Sequence, residues 1–339
     1  MLTLDDLEPL DRLLRRHHLE GIREEPFSND GWSGASMTLL RRGGGDRFVL
    51  KRDSLARDWI ARSTADRPLL REAWFAAHGP ELPPPLRAPY LGAARDGDGV
   101  AILMPDLTGV LFDWDAPISV EALNAVLAGL AELHAYPWRS SGEIDVDAAV
   151  WCPWRERVML ICRASLERPG PARDAVAERI LPGWDAFDRL VPPTIRDLID
   201  DLGRDPEPLL AALANEPRTL LHGDLKLANA GIAADGSIPM VDWQMVMVAP
   251  IAIELGWFLV SNVSSLPLPP EQVLDRYWQT RGLNGPVEDD LAILVGLLLR
   301  GWRKGYDAEA GIALASGISA RDDLAWWCER ALAASARLG

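Results

Sequence analysis

The segment Leu221-His222-Gly223-Asp224-Leu225-Lys226-Leu227-Ala228-Asn229 places an aspartate five residues before an asparagine, directly after a short apolar run. Thirteen residues beyond Asn229 stands Asp242, across a turn signal at Asp235-Gly236. A hairpin of this length returns the chain beside its start, so we expect Asp242 to lie next to Asn229. Phosphoryl transfer needs one carboxylate near the attacking hydroxyl and further oxygen ligands for magnesium, and this pattern can supply both.

The rest of the chain predicts a small strand-rich lobe followed by a larger helical one. The predicted elements of the first lobe are a helix capped by Thr3, a hairpin of strands at 36–42 and 47–52 with its tip at Gly43–Gly45, a helix at 68–78 and a strand at 99–104. Beyond it, helices are predicted at 120–134, 154–167, 172–190, 271–281, 289–304 and 321–338, with one hairpin at 231–241. We therefore predict an α+β fold with a lobe at 1–105, a hinge at about 104–107 and a helical lobe at 106–339.

Charge is distributed unevenly along the 339 residues. Residues 1–105 contain 16 acidic and 15 basic side chains, so the remainder carries −14 of the net −15. This sign argues against nucleic-acid binding. It favours a cationic or polyhydroxyl ligand in the second part, although solvation of exposed helix faces explains the acidity equally well.

The sequence also indicates the cellular setting. The three cysteines form no C-x-x-C pair, which favours a reducing compartment and argues against a disulfide framework or a cysteine zinc site. The longest apolar run, residues 291–299, is too short for a membrane span, and the acidic start is not a signal peptide. We predict a cytoplasmic protein without a membrane partner, and no oligomeric state is predicted.

Lysine is rare, with three lysines against 32 arginines. Two of the three are Lys51, at the end of a predicted strand, and Lys226, inside the segment quoted above. A compact ammonium and a planar guanidinium are not interchangeable at a phosphate, so retention of lysine at these positions favours a phosphate-binding role.

The run His222-x-Asp224-x-Lys226-x-x-Asn229, with Asp242 at its spacing, resembles the catalytic and metal-binding loops of kinase-fold enzymes. His222-Gly223-Asp224 together with Asp242-Trp243-Gln244 is similar to the aminoglycoside phosphotransferase and choline kinase superfamily more than to protein kinases. The resemblance implies a protein kinase-like two-lobed fold, ATP and Mg²⁺ as cofactors, and an enzyme that phosphorylates a hydroxyl of a small molecule.

The same resemblance implies roles for individual residues. Asp224 would orient or deprotonate the acceptor hydroxyl, Lys226 would contact the transferred phosphate, and Asn229 and Asp242 would bind magnesium. Lys51 would reach the α- and β-phosphates, held by Glu72 on the predicted helix at 68–78. His222 belongs to the catalytic motif and is expected to brace the loop. Glu254 stands where the family usually has an aspartate that braces the catalytic loop.

Two further nucleotide contacts are predicted. Ser33 and Gly34, in the loop at 31–36, are candidates for the phosphate-binding loop. Met104 and Asp106 belong to the hinge that would contact adenine.

The acceptor and two other functions stay open. Aminoglycoside-, choline- and sugar-like acceptors all fit, and 14 tryptophans, many of them in the helical lobe, suggest stacking on a cationic or sugar-like ligand or simply a large core. A nucleotide-binding pseudokinase with a regulatory role would predict the loss of a catalytic group. A protein kinase is disfavoured because only eleven residues separate Asp242 from Glu254.

Overall fold

The computed structural model describes residues 3–27, 31–114, 116–146, 148–168, 174–283 and 289–338. An antiparallel sheet comes first and a mainly helical part follows, so the predicted α+β class is confirmed. The strands are β1 (Glu24–Pro26), β2 (Ser36–Arg41), β3 (Arg47–Asp53), β4 (Leu86–Arg87), β5 (Gly92–Asp96), β6 (Gly99–Pro105), β7 (Arg218–Leu221), β8 (Ile238–Pro239) and β9 (Met247–Pro250). The helices are α1 (Leu10–Arg16), α2 (Trp59–Ser63), α3 (Arg71–His78), α4 (Val120–Ala135), α5 (Trp138–Ser141), α6 (Trp154–Met159), α7 (Arg163–Leu166), α8 (Asp174–Leu190), α9 (Pro193–Arg204), α10 (Glu207–Ala214), α11 (Ile251–Asn262), α12 (Pro270–Thr280), α13 (Asp289–Ala310) and α14 (Ala320–Ala334).

The first sheet has the strand order β1-β2-β3-β6-β5. β2 and β3 form the predicted hairpin, and its tip contains Gly44 and Gly45 with φ of +101° and +102°. This left-handed backbone is available to glycine at little cost, which explains the glycine run. On β3, Lys51 pairs with Met37 on one side and Ile102 on the other, so it occupies the centre of the sheet.

Helix α3 connects this sheet to the helical part. It begins at Arg71, three residues later than predicted, because the Asp66 carboxylate accepts the backbone N–H of Arg71 at 3.0 Å and so fixes the first turn there. Its Phe75 ring stacks on the Trp243 ring, with centroids 4.3 Å apart and planes 8° from parallel. The helix is thereby packed against the segment that follows Asp242.

The helical part is built around α11, in which every residue is buried. α11 packs against α13 at close range, and glycines allow the approach. A Cβ added to Gly256 would lie 2.3 Å from the carbonyl oxygen of Ala292, and one added to Gly296 would lie 3.0 Å from the carbonyl oxygen of Gly256. No helix among the described residues is long and apolar enough to cross a membrane.

Three further predicted helices differ from the observed ones, and some observed helices were not predicted. The N-terminal helix is divided into a 3₁₀ turn at Leu4–Asp6 and α1, because Pro9 has no N–H to continue the first helix. The helix predicted at 154–167 is two short helices, and the one predicted at 289–304 extends to Ala310 with non-helical backbone at Arg300. Helices α9, α10 and α11 were not predicted, and the start of the helix predicted at 172–190 falls partly outside the described residues.

Candidate active site

Residues 221–229, here called the Asp224 loop, follow strand β7 and are shaped by Gly223. This glycine has φ +81°, and a Cβ added to it would lie 2.0 Å from the carbonyl oxygen of Met245. Met245 belongs to residues 241–246, here called the Asp242 loop. Only glycine therefore allows the two loops to approach this closely.

His222 connects the same two loops and is fully buried. Its Nε2 donates to the carbonyl oxygen of Val241 at 2.8 Å, and its Nδ1 accepts the backbone N–H of Asp224 at 3.2 Å. Because a carbonyl can only accept and an amide N–H can only donate, these contacts require the Nε2–H tautomer. His222 was predicted within the catalytic motif, and its two hydrogen bonds join the Asp224 loop to the Asp242 loop. Its role in the reaction stays a prediction.

Glu254 on α11 holds the start of the Asp224 loop. Its two carboxylate oxygens accept the backbone N–H groups of His222 (2.9 Å) and Gly223 (2.8 Å), and His134 Nε2 lies 3.3 Å away. Burial opposes ionisation, yet the hydrogen bonds from His134 and the loop hold the pKa of Glu254 below its usual value. His134 is in turn hydrogen-bonded through Nδ1 to the Tyr277 hydroxyl at 2.8 Å, and its burial lowers its pKa.

Two further side chains support the loop, and no sequence pattern predicted either of them. Asn262, at the end of α11, accepts the backbone N–H of Leu227 at 2.7 Å and donates to the carbonyl oxygen of Leu225 at 3.3 Å. Arg157 on α6 donates through Nε to the carbonyl oxygen of Gly223 at 2.7 Å. Both residues are distant in sequence from the motif, so only the fold identifies them.

Lys51 joins the sheet to the Asp242 loop. Its Nζ lies 2.6 Å from Glu72 Oε2 and 2.7 Å from Asp242 Oδ1, so the predicted lysine–glutamate pair is formed. Burial would discharge the amine, but the two carboxylates raise the pKa of Lys51 well above its usual value. Burial raises the pKa of Glu72, whereas for Asp242 burial is outweighed by Lys51 and its pKa is lowered.

Tyr90 is a member of this cluster that the sequence did not reveal. Its hydroxyl donates to Glu72 Oε1 at 2.9 Å and accepts the backbone N–H of Asp242 at 3.0 Å. Asp242 itself has left-handed backbone, with φ +66° and ψ +51°. Tyr90 therefore fixes both a carboxylate that holds Lys51 and the unusual backbone from which Asp242 projects.

Asn229 and Asp242 lie together as predicted. The backbone N–H of Val241 donates to the carbonyl oxygen of Asn229 at 2.9 Å, which closes the hairpin. The Asn229 side-chain nitrogen donates to the carbonyl oxygen of Asp224 at 2.9 Å, leaving the amide oxygen for a metal. No cluster of three or more His, Cys, Asp or Glu side chains with metal-binding geometry occurs in the described ranges. One carboxylate and one amide oxygen, completed by phosphate and water, suit magnesium.

Asp224 is buried, and one of its two carboxylate oxygens is paired with another side chain. Its Oδ2 lies 2.9 Å from Lys226 Nζ, whereas its Oδ1 is buried without a hydrogen-bond partner among the described residues. A buried carboxylate oxygen without a donor is costly, so this atom is expected to meet a hydroxyl or water. The arrangement can hold a proton donor beside Lys226.

The predicted phosphate loop lies between β1 and β2. The Ser33 hydroxyl accepts the backbone N–H of Ala35 at 3.4 Å, and Gly34 has φ +103°. Among the described residues, no hydrogen bond links Ser33 or Gly34 to Lys51. Their contact with a nucleotide stays a prediction.

At the predicted hinge, Met104 is buried in β6 and the Asp106 side chain is occupied by protein contacts. Asp106 pairs with Arg47 at 2.8 Å and accepts from the Thr108 hydroxyl at 2.6 Å and its backbone N–H at 2.9 Å. Any nucleotide contact at Asp106 would therefore use its backbone, and the hinge stays a prediction.

Comparison with known proteins agrees with this arrangement. Residues 29–294 match the model of the phosphotransferase enzyme family, APH. The chain belongs to this phosphotransferase family. A search of curated protein sequences gave no significant match.

Several solved structures resemble this family member at low identity. Spectinomycin phosphotransferase, in complex with ADP and spectinomycin, is 15% identical over 98% of this chain and 99% of its own, with a TM-score of 0.48. Choline kinase LicA from Streptococcus pneumoniae is 12% identical over 96% and 99%, also with a TM-score of 0.48. Macrolide 2'-phosphotransferase MphH from Brachybacterium faecium is 18% identical over 99% and 97%, with a TM-score of 0.42. The family model carries the assignment, and the predictions of this phosphotransferase family and of a phosphotransferase enzyme are confirmed.

Proposed function

We propose that this phosphotransferase moves the γ-phosphate of ATP to a hydroxyl of a small molecule, with Asp224 as the base and magnesium held by Asn229 and Asp242. The observation that carries the proposal is the position of Lys51, which bonds at once to Glu72 and to Asp242. A lysine held in this way at the centre of the sheet is suited to the phosphates of a nucleotide whose metal lies at Asp242.

Asp224 and Lys226 have different roles in the proposed phosphoryl transfer. Asp224 Oδ1 accepts a hydrogen bond from the acceptor hydroxyl and takes its proton as the oxygen bonds to the γ-phosphorus. The bond from that phosphorus to the β–γ bridging oxygen breaks, and ADP leaves. Lys226 lies beside Asp224 and is placed to balance negative charge on the phosphoryl group. Magnesium, when bound, supplies charge neutralisation on the nucleotide phosphates.

Two features weigh against the alternatives. A regulatory pseudokinase predicts the loss of a catalytic group, whereas Lys51, Asp224, Asn229 and Asp242 are present and connected by hydrogen bonds. A protein kinase needs a docking segment after the metal aspartate, but here residues 243–250 are a 3₁₀ turn and strand β9, which lead directly into α11. The first feature supports an enzyme, and the second supports a small-molecule acceptor.

The first experiment measures ATP consumption with magnesium across sugars, amino alcohols, aminoglycosides and hydroxy acids. Turnover with one of these acceptors is expected, and tight nucleotide binding without turnover on the whole panel would favour the regulator.

In the same assay, Asp224→Ala should lower kcat by about 10²–10⁴-fold, because that is the usual contribution of a positioned base. Nucleotide affinity, measured by calorimetry, should change little, since among the described residues Asp224 forms no hydrogen bond or ion pair with Lys51 or Asp242. Near-normal turnover in this variant would mean that Asp224 is not the base.

A further inference from the structure

Three cationic side chains surround the ring of Trp257, on the side of α11 that faces the Asp224 loop. The Cζ of Arg157 lies 4.1 Å from a ring centroid of Trp257, the Cζ of Arg300 lies 5.4 Å away, and Lys226 Nζ lies 5.7 Å away. Arg157, Arg300 and Lys226 are here called the cation cluster. Lys226 forms an ion pair with Asp224, so the cluster lies next to the proposed base.

The two arginines of the cluster are buried and under-satisfied. Arg157 is completely buried, and within the described chain neither of its terminal nitrogens has a hydrogen-bond partner. Arg300 is 5% exposed, and its Nε is also buried without a partner among the residues that the structure describes. A buried guanidinium without an anion to receive its N–H groups is strongly unfavourable, so these donors are expected to have a partner that is not part of the described chain.

Among the described residues, no neighbouring carboxylate accepts a hydrogen bond from the terminal nitrogens of Arg157 or from Nε of Arg300. On α13, Arg303 pairs with Asp307 at 2.8 Å, and Lys304 pairs with Asp323 at 2.6 Å. Near Arg157, Glu254 accepts the backbone N–H groups of the Asp224 loop. Asp224 is the acid whose charge acts on both arginines, but its Oδ2 is paired with Lys226, and its Oδ1 has no hydrogen-bond partner among the described residues. Burial, together with the nearby Arg303, lowers the pKa of Arg300 to about 10, although the charges of Asp224 and Asp307 act in the opposite direction.

Arg300 also has an unusual backbone conformation. α13 is helical on both sides of Arg300, but Arg300 itself has φ −137° and ψ +25°. Interruptions of this kind inside long helices are often found at functional sites, because they redirect a side chain. Here the redirected side chain carries the guanidinium that packs against both Trp257 and Trp302.

We propose that Arg157 and Arg300 bind an anionic group of the acceptor, a carboxylate or a phosphate, so that the preferred acceptor is a hydroxyl-bearing acid. This proposal rests on the proposed function, since it places the acid beside the hydroxyl that Asp224 serves. Guanidinium groups match the two oxygens of a carboxylate or phosphate, which accounts for arginine at both positions. The Trp257 ring already contacts three cations of the protein and is therefore not available to bind the ammonium group of an acceptor.

Matched ligands provide the test. Binding is measured by calorimetry on the enzyme saturated with Mg²⁺ and a non-hydrolysable ATP analogue, so that the nucleotide phosphate site is filled. The pairs are gluconate with sorbitol, glycerate with glycerol, and glucose 6-phosphate with glucose, while choline and glucosamine represent ammonium acceptors. At least one acid should bind about tenfold or more tightly than its neutral partner, and the pair concerned shows whether carboxylate or phosphate is preferred.

Variants of α13 separate the subsite from general electrostatics. Arg300→Met should remove the preference for the acid, Arg300→Lys should restore part of it, and Arg303→Met should leave it in place because Arg303 is already paired with Asp307. Folding of each variant is checked by thermal unfolding. Arg300→Met should keep the wild-type Tm or raise it, whereas Lys304→Met should lower it by leaving Asp323 unpaired.

The anion-binding site would be overturned if neutral or ammonium ligands bound as tightly as every acid. It would also be overturned if the preference for the acid survived in Arg300→Met. A third contrary result would be a loss of Tm in Arg300→Met equal to that in Lys304→Met. If Arg157 and Arg300 contacted only the transferred phosphoryl group, acids would bind no more tightly than neutral or ammonium ligands. Turnover is measured separately. If an acid bound through Arg300 but no compound of the whole panel were phosphorylated, the proposed function would be refuted and the anion-binding site would stand.

Discussion

Lys51 is held by two carboxylates that would otherwise repel each other in a buried place. Replacing it by methionine leaves Glu72 and Asp242 without their cation, and breaking a buried ion pair costs about 3–5 kcal/mol. We expect Lys51→Met to lose both ATP binding and a large part of the free energy of unfolding, as measured by calorimetry and by denaturant titration.

A double variant distinguishes the two losses. In Lys51→Met with Glu72→Gln, the more deeply buried carboxylate is neutralised, so stability should return in large part while ATP binding stays weak. If ATP binding returned together with stability, Lys51 would be a purely structural residue.

The helix α2 provides a pH-dependent prediction at the scale of an element. Asp58 caps α2 by accepting the N–H groups of Ile60 (2.8 Å) and Ala61 (3.1 Å), and its other oxygen accepts from Gln244 in the Asp242 loop. Burial, and then the nearby Asp53, raise the pKa of Asp58 to about 7. Since the pKa of an unfolded aspartate is about 3.9, the folded chain binds more protons between roughly pH 4 and 7.

The contribution of Asp58 to the free energy of unfolding must therefore fall as the pH rises through this window. Asn at position 58 keeps the capping oxygen but does not titrate. The stability of the wild type relative to Asp58→Asn should decrease from pH 4.5 to 7.5, as measured by urea unfolding of both proteins. A difference that stays constant with pH would show that Asp58 does not titrate in this range.

The Asp224 loop depends on Gly223, and a matched glycine exists in the hairpin that follows. Gly223 and Gly236 have nearly the same backbone, with φ of +81° and +82°. A Cβ at Gly223 would meet the Met245 carbonyl, whereas a Cβ at Gly236 would have no neighbour within 4 Å. We expect Gly223→Ala to abolish activity and Gly236→Ala to cost only about 1 kcal/mol of stability with activity retained. Equal effects of the two changes on kcat would contradict this account of the loop.

The sequence predicted the parts of the site that depend on short-range spacing. Asp224, Asn229 and Asp242 are joined by one hairpin, and the contact of Lys51 with Glu72 followed from the family resemblance. It did not predict α11, because a helix that is buried on every side has no polar face and hence no periodic pattern. Nor did it predict the contacts of Tyr90 and Arg157, which reach the site from distant elements.

At the scale of the whole molecule, the sheet and the helical part meet through Lys51 and Asp242. A nucleotide with its metal would bind groups from both parts, and binding to the folded state alone stabilises it by about 2.7 kcal/mol at a hundredfold excess over Kd. We expect a non-hydrolysable ATP analogue to raise Tm more with magnesium than with EDTA, and Asp242→Asn to lose the magnesium-dependent part. Asp235→Asn, in the exposed turn of the same hairpin, should keep it. An equal rise in EDTA would argue against the metal site.

The tryptophans of the helical part contribute chiefly to its core. Ten tryptophans lie between residues 138 and 327, and of these eight are buried, whereas Trp154 and Trp326 are partly exposed. The buried ones are Trp138, Trp151, Trp184, Trp243, Trp257, Trp278, Trp302 and Trp327. Large aromatic side chains at these positions explain how so many helices pack into one core.

The positions of the three lysines determine which of them can react with amine-modifying reagents. Lys51 and Lys304 are buried in ion pairs, and Lys226 is the lysine with an accessible side chain, 29% exposed beside Asp224. An acylating reagent or a lysine-modifying enzyme therefore has one reachable lysine side chain, and it lies beside the proposed base Asp224. Conjugation through lysine would thus label the proposed acceptor site, and we expect bound ligand to shield it.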